Sequence, residues 1–313
     1  MKGSETGMKY MKIAQTDLEV SRLALGCMRL SSRSLQEAEQ LIGTALDLGI
    51  NFFDHADIYG GGECERLFGQ VLAKHPEWRE KMVLQSKCGI VPGVAYDLSR
   101  EHILARVKES LANLQTDHLD VLLLHRPDAL MDPREVASAF DECYAQGWVR
   151  YFGVSNMNPR QIELIGKYSA HPLVINQLQF NLVNSGMIDT GINVNMKNAA
   201  SLDHDDSVLD YCYYHEMTIQ PWSILQASWE EGSFIDHPDY AKLNQSLEEM
   251  GQRYGLSKAA MSVAWILRHP AMMQPIAGTT SVTHLQELAK ACDVTVSRED
   301  WYQLYMASGK TLP

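Results

Sequence analysis

Residues 51–69 read NFFDHADIYGGGECERLFG. Asn51, Phe52 and Phe53 open the stretch as a buried strand, yet the run then delivers Asp54, His55, Asp57 and Tyr59 to three consecutive glycines, Gly60 to Gly62. An amphipathic helical pattern starts at Glu63. The stretch is thus a strand, a polar turn and a helix in direct succession. Glycine lacks a Cβ, so the triple glycine lets the turn enter φ > 0 conformations before the helix begins. Asp57 reads as surface or turn support.

The same alternation repeats along the rest of the chain. Strand-like runs fall at 21–26, 51–56, 82–87, 118–125, 149–155, 173–180, 218–225 and 273–279, eight in all. They are apolar almost throughout, as parallel strands covered on both faces must be. Helical spacing lies between them. Residues 34–49 put Leu35, Ala38, Leu41, Ile42, Ala45 and Leu48 on one face and stop at Gly49. Residues 99–115 begin with Ser99 as N-cap, and 132–147 begin with Asp132 and Pro133 and stop at Gly147. Further helical patterns cover 158–168, 205–216, 239–254, 257–269 and 281–292, with an extra terminal helix near 301–309. Eight strand–helix pairs with short links predict a TIM (β/α)₈ barrel, formed by the 313 residues as one domain. The rival is a doubly wound open sheet, which expects G-x-G-x-x-G after the first strand. Here Gly26-Cys27-Met28-Arg29-Leu30 stands in that place.

Composition narrows the function. A net charge of -12 argues against nucleic acid and anionic membranes as partners, since both need a basic footprint. The polar opening MKGSETGMKY lacks the apolar core of a signal peptide, and no apolar run is long enough for a membrane span. The six cysteines are scattered, without zinc spacing, which fits a cytoplasmic protein.

In such a barrel the chemistry sits at the carboxyl ends of the strands. Strand two ends in Asp54 with Tyr59 just beyond, strand three in Lys87 and strand four in His125. Strand five ends in Ser155-Asn156, strand six carries Gln177, strand seven Trp222-Ser223, and strand eight ends in Gly278-Thr279-Thr280. A lysine ammonium about 4 Å from the Tyr59 oxygen favours phenolate by ~4 kcal/mol at an effective dielectric near 20. That would draw a tyrosine pKa from ~10 towards ~7, useful for a general acid. Asp54 would supply the carboxylate that an interior Lys87 needs. Met28, Tyr59, Trp222 and Trp229 are candidate pocket walls, and the long connections 181–204 and 226–238 are candidate binding loops.

Asp54-x4-Tyr59, Lys87 and His125, in that order on strands two to four, resemble the catalytic tetrad of the aldo-keto reductases. DLGINFFDHADIYG, SKCGI, LDVLLLHRPD, GWVRYFGVSN, INQLQFN and PIAGT strengthen the resemblance, which runs from about Ser21 to Leu288. Within that family the chain looks most like a bacterial oxidoreductase branch. The resemblance implies reduction of aldehydes or ketones with NADP(H), or alternatively NAD(H), and without a metal. Tyr59 would protonate the carbonyl oxygen, Lys87 and Asp54 would tune it, and His125 would orient the substrate. The resemblance further implies a cofactor lined by Met28 and Asp54, with its nicotinamide on Trp222 and its carboxamide on Ser155, Asn156 and Gln177. The pyrophosphate would follow Ser223, Leu225 and Gln226, and the adenosine end would lie on Gly278, Thr280, His284 and Glu287, near backbone N–H groups that open a helix at Ser281.

The chain departs from the family at this last segment. NADPH users often carry lysine or arginine there, whereas GTTSVTHLQEL places Gly278 and His284 at those positions. Segment 181–204 is a candidate lid. His55 has no firm physical account from sequence. Two other classes stay open: a cofactor-sensing regulatory protein on the same barrel, and a metal-dependent hydrolase using His55, Asp57, His125 and Asp128. The second lacks multi-histidine ligand spacing.

Overall fold

Eight parallel strands form one sheet in the computed structural model, which describes residues 7–313. The strands are β1 (Ala24–Gly26), β2 (Phe52–Asp54), β3 (Val83–Cys88), β4 (Leu119–Leu124), β5 (Val149–Ser155), β6 (Leu173–Gln179), β7 (Thr218–Trp222) and β8 (Ile276–Ala277). Their order is β7-β6-β5-β4-β3-β2-β1-β8. A parallel bridge between Ile219 and Met273 brings the two ends together, so the sheet is a nearly closed barrel. This is the expected TIM barrel, although β1, β7 and β8 are shorter than their apolar runs. The first six residues of the polar opening read as lacking a leader lie outside the described residues.

Helices cover the outside. They are α1 (Leu35–Asp47), α2 (Glu63–Lys74), α3 (Arg100–Leu114), α4 (Pro133–Ala145), α5 (Pro159–Gly166), α6 (Gly186–Ile192), α7 (Val208–Tyr214), α8 (Ala241–Tyr254), α9 (Lys258–Leu267), α10 (Val282–Ala289) and α11 (Arg298–Ala307). The caps explain several starts. Ser34 and Glu37 form a reciprocal capping box on α1, and Ser99 accepts the His102 N–H at α3. Asp132 caps α4 ahead of Pro133. The expected terminal helix is α11.

Strand alternation divides the core in two. Phe53, Leu84, Leu122 and Leu124 face outward and pack under the helices. Phe52, Val83, Val121 and Ile175 face the barrel interior. There they meet Ile13, Leu18 and Val20 from a hairpin, Tyr10–Lys12 with Glu19–Ser21, that plugs the bottom of the barrel. The hairpin precedes the eight barrel strands and adds a two-stranded sheet to them.

Above the apolar plug the interior turns polar. Gln85 on β3 and Gln177 on β6 both donate to the Gln220 Oε1 on β7, at 2.8 and 3.1 Å. Gln220 in turn donates to Gln274 at 2.9 Å, and Gln274 to the Ser21 carbonyl at 2.7 Å. This buried belt spans the barrel and is the platform on which the mouth is built.

Candidate active site

One step above the belt, Lys87 projects from β3 into the barrel with no solvent exposure. An ammonium carries three hydrogens, and three acceptors surround this one. They are an Asp54 carboxylate oxygen at 2.9 Å, the His55 carbonyl at 2.8 Å and the Tyr59 hydroxyl at 3.0 Å. Asp54 is held from below as well, because its Oδ1 accepts from Gln85 at 2.6 Å and Gln177 at 3.0 Å. Burial works against the Lys87 charge, but Asp54 and Tyr59 together hold its pKa above the ordinary value.

The glycine turn brings Tyr59 back over this pair. Gly60, Gly61 and Gly62 have φ of 59°, 64° and 89°, the left-handed region expected of them. A Cβ on Gly60 would lie 2.6 Å from the Ser31 Oγ. Asp57 is not a surface group. It is 1% exposed and paired with Arg106 of α3 at 2.8 Å, which ties the turn to the helix layer. Burial lifts its carboxyl to about 6, with Arg106 opposing. His55 contributes through its carbonyl. Its ring is buried edge-on to Phe68 with neither nitrogen bonded, and burial drives its pKa down to about 3.

The expected acidic phenol is not found. Burial raises the Tyr59 pKa above 10 and outweighs the lowering by Lys87. The Lys87 ammonium alone favours the phenolate, but the cost of desolvating it is larger. His125, whose ring lies edge-on to Tyr59 at 6.0 Å, is likewise neutral. Burial, then Lys87 and Arg126, push it down to about 2. Its Nδ1 is buried without a partner, so no protein group fixes its tautomer.

Tyr59, His125 and Asp54 line a cavity of about 1010 Å³. Most ligand-binding clefts are no larger than this, so there is room for more than a small carbonyl compound. Met28, Ser155, Asn156, Gln177 and Trp222 line the same cavity. Ser223, Leu225, Gln226, Gly278, Thr280 and His284 belong to the same lining. Glu287 is not among the lining residues. Gln177 also differs from expectation, since both hydrogens of its amide nitrogen are given to Asp54 and Gln220. Only its oxygen remains for a ligand. Asn156, in a left-handed conformation with φ of 55°, accepts from the Trp222 indole at 3.1 Å and so sets the ring's orientation.

The two long connections separate in role. Residues 181–204 do not line the cavity, contrary to the lid expectation. Asn181 and Asn184 bond the backbone of the 223–227 loop instead, and Asp189 bonds Tyr305 of α11. Trp229, Gly232 and Ser233 from the other connection do line it, with Trp229 72% exposed at the rim. Arg29 and Arg33, from the loop after β1, also line the cavity and were not singled out in sequence. Among the described residues, no group of three or more His, Cys, Asp or Glu side chains is arranged to hold a metal ion.

Residues 22–307 match the model of the Aldo/keto reductase family. The chain belongs to that family. It is 35% identical to the uncharacterized oxidoreductase YcsN of Bacillus subtilis, over 96% of this chain and 98% of that one. It is 33% identical to a 6-dehydroglucose reductase of Agrobacterium fabrum, again over 96% and 98%. Among solved structures, a thermostable aldo-keto reductase in complex with the inhibitor epalrestat superimposes with a TM-score of 0.77 at 26% identity, covering 96% of this chain and 100% of that one. This aldo/keto reductase is therefore an oxidoreductase, and carbonyl reduction is its general chemistry.

Proposed function

We propose that this chain reduces an aldehyde or ketone to the alcohol with NADP(H), with Tyr59 as the proton donor. The observation that carries the reading is the buried Lys87, hydrogen-bonded at once to Asp54 and to the Tyr59 hydroxyl on the cavity floor. A general acid must hold its proton at working pH, and a phenol raised by burial does so. As the carbonyl oxygen gains negative charge, Tyr59 gives it that proton, and the Lys87 ammonium stabilises the phenolate left behind. Asp54 keeps the ammonium in place. The neutral His125 fixes the carbonyl oxygen by a hydrogen bond from its exposed side, and the pair of donors holds the reacting group in one orientation.

The lining fits a dinucleotide. Trp222, braced by Asn156, offers a flat aromatic face, and Ser155 and the Gln177 oxygen offer polar contacts beside it. Ser223, Leu225 and Gln226 run along the route to the start of α10. When bound, the reduced nicotinamide supplies the hydride. Residues 7–313 act as one catalytic unit in this reading. All six cysteines are free and buried, which supports a reducing, cytoplasmic setting.

The test combines binding and turnover. Titration with NADPH and NADH should quench tryptophan fluorescence through Trp222. A carbonyl panel headed by 6-dehydroglucose, with simple aldehydes and quinones, should then oxidise the reduced cofactor. Binding without any carbonyl-dependent oxidation would favour a cofactor-sensing protein, and no binding would reject the reading.

A further inference from the structure

Among the described residues, three arginines and a single carboxylate line the cavity, in a chain whose net charge is -12. The carboxylate, Asp54, is paired with Lys87 and bonded by two glutamines. Two of the arginines are engaged as well. Arg29 donates to the Gly278 carbonyl, and Arg33 donates to the Thr280 hydroxyl and pairs loosely with Glu37 at 3.6 Å. The third is Arg126, the residue directly after His125. Its guanidinium lies 5.8 Å from the centre of the Trp222 ring, and its charge adds to the burial and the Lys87 charge that hold His125 neutral. Arg126 is partly buried, yet no described residue accepts a hydrogen bond from its guanidinium and no described carboxylate lies within 4.0 Å. Asp128, two residues on, is turned to the backbone instead, accepting from the Leu98 and Leu130 N–H groups at 3.0 and 2.8 Å.

We propose that Arg126 selects carbonyl substrates that carry a carboxylate near the reacting group. This rests on the reading of the cavity as a carbonyl-reducing site. A guanidinium presents a planar fork of donors that matches a carboxylate, and it keeps its charge at any physiological pH. The face of Trp222 limits where that fork can point. A substrate held by Tyr59 and His125 excludes water from the neighbouring guanidinium. An apolar substrate gives nothing back for that water, so it leaves a partly buried cation without a partner. A hydroxylated substrate supplies acceptors but no counter-charge. A carboxylate supplies both, and its charge-assisted bonds are the stronger ones. Asp54 does not compete for the role, since Lys87 already holds it.

The test uses matched pairs: the three carboxybenzaldehydes and pyruvate against their methyl esters, with glyceraldehyde as a neutral hydroxylated aldehyde. Each is reduced with NADPH by the full chain and by its Arg126→Met and Arg126→Lys variants. In wild type the acid of at least one pair should have the higher kcat/KM. In Arg126→Met the acid-to-ester ratio for that pair should fall by about 10- to 100-fold, the range of a hydrogen bond to a charged group. The loss should lie mostly in KM, and Arg126→Lys should recover part of it. Titration of the protein–NADP⁺ complex with the hydroxy acid formed from that pair should show the same weakening in Arg126→Met without turnover. Esters reduced as well as acids in every pair, or an equal loss on both members, would overturn the proposal. So would a loss confined to glyceraldehyde, or a fall in NADPH affinity, which would put Arg126 on the cofactor. Carbonyl reduction stands in all of those cases. NADPH bound with no carbonyl reduced rejects both readings.

Discussion

The Lys87 ammonium and the Tyr59 hydroxyl are 3.0 Å apart, the lysine fully buried and the tyrosine partly buried at the cavity wall. Among the described residues Lys87 is also the only counter-charge of the buried Asp54 carboxylate, at 2.8 Å. Lys87→Met should therefore do two kinds of damage. Stranding Asp54 costs about 3–5 kcal/mol, the usual penalty for half of a buried ion pair. Urea unfolding would measure this, and carbonyl reduction should be lost as well. A variant of unchanged stability would contradict the ion-pair account.

Direction of reaction should follow pH in a defined sense. Reduction needs Tyr59 protonated, and burial raises its pKa above 10, so reduction should persist until the pH exceeds that value. Alcohol oxidation needs the phenolate and should climb steadily with pH. His125 is held down to about 2, so neither profile should carry a histidine step between pH 5 and 8. Steady-state rates in both directions across pH 5–10 would check all three statements.

The glycine turn separates two kinds of cost. Gly61 has φ of 64° with nothing within 4 Å of a built Cβ, so Gly61→Ala should lose only the left-handed penalty, about 1–2 kcal/mol. Gly60 has φ of 59° and a built Cβ at 2.6 Å from the Ser31 Oγ. Gly60→Ala should be the more destabilising, and it should lower turnover because it displaces Tyr59. Paired thermal melts and kcat values decide the order.

Arg106 and Asp57 fasten the same turn from behind. Asp57 is raised to about 6 from an ordinary 3.8, so folding takes up a proton between those values. The sign follows: this carboxylate weighs against folding at neutral pH, and the burden is relieved as the pH falls through 6. Arg106→Met removes the partner and should destabilise the protein by about 3 kcal/mol at neutral pH, and by less at pH 5. Denaturation at the two pH values tests the difference.

Much of the barrel was readable because its strands are buried on both faces, which leaves long apolar runs between capped helices. Asp54, Tyr59, Lys87 and His125 were readable as polar groups at apolar strand ends. What escaped depends on distance through space. The hairpin plug at 10–21 is two short strands with weak patterning. Arg29 and Arg33 lie about 250 positions from Gly278 and Thr280, so no local pattern pairs them. The glutamine belt takes single residues from β3, β6, β7 and the approach to β8, far apart in sequence. The phenol's pKa was misjudged because burial cannot be weighed from a neighbouring charge alone.

The central claim is that Tyr59 donates the proton, and Tyr59→Phe tests it most directly. Cofactor affinity by fluorescence titration and carbonyl-dependent kcat should be measured on wild type and variant together. The account predicts unchanged NADPH affinity with kcat lowered by at least ~100-fold. A variant that turns over like wild type while binding NADPH equally well would contradict it.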